Sequence, residues 1–324
     1  MKKRYKKLTA LALALASVLC LFGCGGPGRT PSGGPSEKLK IVATNFPPFD
    51  FARQIAGDLA DVSMLLSPGQ ESHTFEPTPQ DIIKIQQADL FIMGGGESDQ
   101  WAKRLIASSQ LDERKILSMM DCVTAIPEEI TEGMQNHQEH VEEDHSEFYE
   151  YDEHVWTSPL NATEICKRIA EKLIDADREH EQVYTENLNR CLAELDELDK
   201  CFADVVKNGA RKTLVFGDRF PFRYFADRYG LSYYAAFPGC SGETEPDAAT
   251  MKFLIDKVKE ENIPVVLHAE LSNRKIADAV CEAAGAEARL FHSCHSVTKD
   301  EFDRGETYLS LMKNNVAVLK EALS

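Results

Sequence analysis

Short, mainly apolar runs alternate with helical patterns along most of this chain. Leu39–Thr44, Val62–Leu66, Leu90–Met93 and Ile116–Met119 form a first set. Leu214–Phe216, Tyr233–Phe237, Val265–Leu267 and Arg289–Phe291 form a second. Short runs this rich in apolar residues, separated by helical patterns, suit strands of a parallel sheet covered on both faces. Each half therefore reads β-α-β-α, which predicts an α/β fold of two lobes, each with a parallel four-stranded sheet and flanking helices. Helix starts are also legible. Thr78-Pro79-Gln80-Asp81 offers an N-cap threonine followed by proline, and Asn161-Ala162-Thr163-Glu164 resembles a capping box. Ser272 is placed to cap a helix that Gly285 ends, and Asp303–Leu323 reads as one final helix.

Between the halves, Arg178 to Lys207 contains no Pro or Gly. Leu188, Leu192, Leu195, Leu198, Phe202 and Val205 fall on it at helical spacing. Thirty residues of helix span about 45 Å, longer than a small lobe needs. The segment is expected to be one long rigid helix joining the lobes and packed along both. Its apolar stripe is narrow enough to fit an exposed coiled-coil arm as the alternative. The expected organisation is 39–177 for the first lobe, 178–208 for the connector and 209–324 for the second lobe.

The N-terminus has a different character. Five basic residues precede the apolar run Leu8–Phe22, which is too short for a comfortable membrane span. Leu21-Phe22-Gly23-Cys24 resembles a bacterial lipoprotein signal, in which removal of residues 1–23 leaves Cys24 lipidated. That predicts an extracytoplasmic protein, lipid-anchored to the bacterial cell membrane through acyl chains on Cys24. Residues 24–38 are rich in Gly, Pro and Ser and read as a flexible tether. Seven cysteines lie beyond Cys24, with no CxxC spacing. Cys191 and Cys201 share the predicted helix about 15 Å apart, too far to bond. Most of the seven read as small buried apolar residues.

The formal net charge is −17 over 324 residues. That argues against nucleic acid as a partner and favours cations. The stretch 137-HQEHVEEDHSEFYEYDEHVW-156 holds His137, His140, His145 and His154 among many carboxylates. Ligands of open parallel sheets bind beyond the carboxyl ends of the strands. His73 follows the second predicted strand there, His154 the fourth, Asp218 and Arg219 the fifth, His268 and Glu270 the seventh, and His292 and His295 the eighth. His180, inside the connector, has no such placement. Several imidazoles with a carboxylate suit Zn²⁺ and also accept Mn²⁺ or Fe²⁺, whereas Ca²⁺ and Mg²⁺ want nearly all-oxygen cages.

These residues also carry a family likeness. Pro68–Pro79 resembles the P-G-x-x-x-H-x-x-E-P-T/S-P loop of the solute-binding lipoproteins of zinc and manganese ABC importers. Asp152-Glu153-His154-Val155-Trp156 resembles their D-P-H-x-W motif, with Glu153 in place of Pro. Gly94–Leu105, Glu245-Pro246 and Tyr308–Met312 with Asn315 resemble further segments, so the likeness runs from about residue 39 to 322. It implies one metal in an interlobe cleft, held by three histidines and a carboxylate, and delivery to a membrane permease. His73 and His154 correspond to the first two ligands. The third, usually His, falls near Asp218 or Arg219. Arginine cannot bind a cation, so Asp218 is the candidate. The fourth, usually Asp, falls near His292 or His295. This reads as a reciprocal exchange of carboxylate and imidazole. Arg219 pairs with Asp218 or a cleft carboxylate such as Glu243, and opposes a bound cation if it points inward. Zinc-type members also carry a His-rich acidic loop before the second ligand, so residues 136–150, with His137, His140 and His145, are expected to gather Zn²⁺ and pass it on.

The leading expectation is therefore a metal-binding component of an ABC importer and not an enzyme, carrying zinc with manganese as the alternative. An exported zinc hydrolase competes with it, although the chain has no HExxH, GxSxG or P-loop. A surface adhesion lipoprotein with a structural metal is the third reading.

Overall fold

The computed structural model describes residues 38–70, 75–109, 111–134, 150–241 and 245–324. The leader, Cys24, most of the tether, His73, Glu243 and the loop residues His137, His140 and His145 lie outside them.

Two four-stranded sheets are present, both fully parallel. β1 (Leu39–Ala43), β2 (Ala60–Met64), β3 (Leu90–Met93) and β4 (Ile116–Ser118) are ordered β2-β1-β3-β4. β5 (Thr213–Phe220), β6 (Ser232–Pro238), β7 (Val265–His268) and β8 (Glu287–Leu290) are ordered β6-β5-β7-β8. In β3 and β7 every residue is buried, as expected for strands covered on both faces. The strand order reverses at β1 and β5, which opens a crevice beyond the carboxyl ends.

The helices are α1 (Phe46–Ala56), α2 (Pro79–Gln87), α3 (Gln100–Ser108), α4 (Pro159–Ala176), α5 (Glu181–Asn208), α6 (Arg223–Tyr229), α7 (Ala248–Glu260), α8 (Lys275–Ala284), α9 (Lys299–Asp303) and α10 (Tyr308–Ala322). α2 starts as its sequence indicates: Thr78 and Asp81 form a reciprocal capping box and Pro79 opens the helix. Three boundaries differ from expectation. α4 begins before Asn161, because Ser158 accepts the Asn161 N–H and Pro159 supplies a pre-set first turn. α8 starts at Lys275; Ser272 instead accepts the Arg274 N–H in a local turn. The last helix is two, because Gly305 turns at φ 73° and Thr307 caps α10 anew.

α5 is 28 residues long, about 42 Å. A 3₁₀ turn, Arg178–His180, precedes it. It packs against α1, α4 and α10, burying Tyr184, Cys191, Leu195, Leu198, Phe202 and Val206. One hydrophobic cluster joins these to Ile41 and Leu90 of the first sheet and to Phe216 and Leu267 of the second. The connector is thus part of a shared core and not an exposed arm. The remaining face of each sheet has its own core, with α2 and α3 on one (Ile85, Ala102) and α7 and α8 on the other (Leu254, Val280). The seven described cysteines are all unpaired, and four of them are buried.

Phe202 is fully buried and meets Phe225 edge-on at 4.9 Å. Phe202→Ala should lower the stability of the metal-free protein by about 3–5 kcal/mol, read from the urea midpoint at unchanged slope. A loss under about 1 kcal/mol would show that α5 is not part of the common core.

Candidate metal centre

The segment entering the centre is pinned before it arrives. Tyr151 bridges Pro127 in antiparallel pairing, and the Asp152 N–H donates to the Ile126 carbonyl at 3.1 Å. Asp152 then organises its own neighbour. Its Oδ1 accepts the His154 backbone N–H at 2.8 Å and lies 3.2 Å from His154 Nδ1. A carboxylate on Nδ1 fixes the proton there and leaves the Nε2 lone pair for a metal. The Trp156 indole follows in a 3₁₀ turn, and its Nε1 donates 2.8 Å to the Ser293 carbonyl in the opposite lobe.

His295 comes from the loop after β8, which is tightly wound. Cys294 adopts φ 63°, a left-handed conformation that costs a non-glycine residue about 1–2 kcal/mol. Hydrogen bonds hold it: the Cys294 N–H donates to His292 Nδ1, and the His295 N–H donates to Ser293 Oγ. Glu270 accepts from Ser293 N, Ser293 Oγ and Ser296 N. His295 is thereby brought edge-on to His154, ring centroids 5.1 Å apart, with Trp156 against both.

Glu153 completes the group. Glu153, His154 and His295 each offer a ligand atom, all within 4.8 Å of one another. Tetrahedral zinc ligands sit roughly 3.4 Å apart, so a small inward adjustment would close the set on one ion. The Ser98 backbone N–H donates to Glu153 Oε2 at 2.9 Å and orients the carboxylate. Gly96 makes room for it: a Cβ there would stand 2.1 Å from Glu153 Cβ. The residue was missed in the sequence because it occupies a proline position of the resembled motif. A carboxylate directly beside a strand-end histidine was the available signal.

The other candidates lie elsewhere. Asp218 is turned to its own lobe, with Oδ1 accepting the Arg219 N–H and Oδ2 the Ala269 N–H. Its backbone-binding role explains why it does not join the convergent group. His292 faces away, held by Asn315 through both its backbone N–H and its carbonyl. Its Nε2 lies 3.7 Å from Glu301. The His292 imidazole pulls the Glu301 carboxyl down to about 2. His268 meets the Ala269 carbonyl, and His180 pairs with Asp177 on the connector side.

The surroundings are acidic. Asp152 is fully buried, and its Oδ2 has no hydrogen-bond partner among the described residues. Burial pushes the Glu128 carboxyl up, and the nearby Asp152 charge adds to this. Glu150, hydrogen-bonded to Glu97, is pushed up to about 7. Burial alone would lower the His154 imidazole, but Asp152, Glu153 and Glu128 outweigh it and hold it above its ordinary value. Two imidazoles and a carboxylate, set among further buried acids, are a donor set that fits a divalent transition metal.

The family described as "Zinc-uptake complex component A periplasmic", ZnuA, matches residues 41–322. The chain belongs to the ZnuA family. It is 30% identical to the high-affinity zinc uptake system protein ZnuA of Bacillus subtilis (strain 168), over 98% of both chains. It is 29% identical to the zinc-binding lipoprotein AdcA of Streptococcus pneumoniae (strain ATCC BAA-255 / R6), covering 96% of this chain but only 60% of AdcA. The crystal structure of the Zn(II)-bound ZnuA-like domain of that species' AdcA superposes with a TM-score of 0.73 at 27% identity, covering 89% of this chain and 99% of that domain. The laminin-binding protein Lmb of Streptococcus agalactiae, described as bifunctional with adhesin and metal transporting activity, superposes with a TM-score of 0.72 at 27% identity, over 88% and 100% of the chains. ZnuA-family members are solute-binding transport proteins, which sets the hydrolase reading aside.

Asp152, Glu153 and Glu128 favour the doubly protonated His154 ring, and a metal ion on Nε2 would have to displace the proton there while Nδ1 keeps its own. Loading should therefore release protons, and affinity should fall as pH drops through neutrality. Calorimetry at pH 7 in two buffers of different ionisation enthalpy measures the release; identical heats would contradict it.

Proposed function

We propose that this chain takes up a single zinc ion between Glu153 and His154 of the first lobe and His295 of the second, with His73 as the fourth ligand. The protein is the extracytoplasmic metal-binding component of a ZnuA-type ABC importer. In this reading it hands its cargo to the membrane permease while tethered through a lipidated Cys24. Convergence of Glu153, His154 and His295 from the two sheet edges is the observation that carries the reading. Three imidazoles with one carboxylate favour zinc; manganese, a harder ion, prefers more oxygen. The site keeps the ligand count that the family resemblance implies, but Glu153 supplies the carboxylate in place of Asp218, and His295 replaces the acid usual in the second lobe. His137, His140 and His145 act ahead of it, as weak ligands that exchange quickly and concentrate the ion.

The apolar core shared by both lobes does not depend on the centre, so capture and release belong to the ligand loops and not to wide hinge opening. The same core separates transport from a structural metal: chelation should leave the chain folded.

Metal analysis of protein purified without added metal should find one zinc per chain. His154→Ala, His295→Ala and His73→Ala should each weaken zinc binding by about 10²-fold or more, given that loss even of supporting partners costs 10–100-fold. Asp218→Asn should change it little. Wild-type affinity in both His154→Ala and His295→Ala would sink the assignment, and so would melting of the fold on chelation.

A further inference from the structure

Arg219 occupies the end of β5, beyond the shift in its pairing register with β6 between Phe216 and Arg219. Its Nη1 donates to the Ser241 carbonyl at 3.3 Å. Its side chain lines the same cavity as His154 and His295, with Glu270 and Ser293 on the wall. A guanidinium keeps its charge at every accessible pH and cannot ligate a metal. A guanidinium therefore lines the cavity that His154 and His295 also line.

We propose that Arg219 is an affinity-setting residue: a resident cation that stabilises the empty cleft and opposes the entering ion. The proposal rests on the zinc reading of the centre. Glu270 lines this cavity too, and Asp152 and Glu153 are buried next to His154, with Asp152 Oδ2 lacking a hydrogen-bond partner among the described residues. Such like charges repel, and a guanidinium in the shared cavity offsets part of that cost. When zinc enters, its two charges take over the offset, and Arg219 becomes a repulsive neighbour. Binding is weaker and release faster than the ligands alone would give. A carrier that must surrender its cargo to a permease gains from such a limit on affinity. Arg219 acts on the ion through space and not by coordination, so its effect should follow its charge and not its shape.

Three variants test this: Arg219→Gln removes the charge, Arg219→Lys keeps it, and His154→Ala checks the centre. Zinc affinity is measured by competition with a chromophoric chelator, release by stopped flow into excess chelator, and metal-free stability by thermal melting. Arg219→Gln should bind zinc at least about tenfold more tightly and release it correspondingly more slowly, since charges sharing one partly buried cavity are screened less than charges in water. Its metal-free form should melt at a lower temperature than the wild type. Arg219→Lys should stay within about threefold of the wild type, because the charge is retained. Equal or weaker binding in a folded Arg219→Gln protein overturns the proposal. If Arg219→Gln does not fold, Arg219→Lys decides: a change beyond about tenfold shows that shape and not charge matters, and overturns the proposal. Undiminished zinc binding in His154→Ala overturns the centre itself and the proposal with it, whereas loss there with unchanged Arg219→Gln affinity overturns the proposal alone.

Discussion

Trp156 is the contact on which the centre depends. Its indole packs against both His154 and His295, its N–H reaches across to the Ser293 carbonyl, and its own carbonyl accepts the Tyr308 hydroxyl at 2.7 Å. Tyr308 in turn donates its backbone N–H to Asp50 of α1. A rigid, fully desolvated aromatic group therefore sets the spacing between ligands contributed by different lobes. Trp156 contacts hold the two imidazoles side by side, the kind of preorganisation that reduces the ordering cost of binding.

Much of the architecture could be read from the chain because its local signals agree with its tertiary environment. Unbroken apolar runs at Leu90–Met93 and Val265–Leu267 have no reading but a strand covered on both sides once short length is taken into account. Thr78 with Pro79 marks a helix start whose capping box forms as written. Boundaries failed where a second signal competed. Ser158-Pro159 opens α4 a turn ahead of Asn161, and Gly305 divides the final helical pattern. The course of α5 was legible as a length without Pro or Gly, but its narrow apolar stripe also fitted an exposed arm, and it is Tyr184 and Cys191, outside that stripe, that widen the buried face.

The centre was legible in part. His154 follows the fourth strand at a distance, with a distinctive motif around it. His292 and His295 could not be separated by spacing, because the turn at Cys294 reverses the chain between them and backbone at φ 63° leaves no residue-type signature here. Asp218 was a reasonable candidate by position, yet a carboxylate at the end of a central strand also finds backbone N–H groups in the neighbouring strand loop, and that is what it does. Glu153 was overlooked for the converse reason: only the structure shows that Gly96 and Ser98 create a place for it.

The repeated strand order has one more implication. β4 and β8 are the fourth members of two sheets with the same connectivity, and the chain leaving each supplies one of the facing imidazoles, His154 and His295. The two deliveries differ in length, however: β8 ends at Leu290 and hands over His295 within one short loop, whereas β4 ends at Ser118 and the chain travels much further before His154. The second lobe thus ties its histidine to a strand end, while the first ties its own to the Asp152 pairing with Ile126.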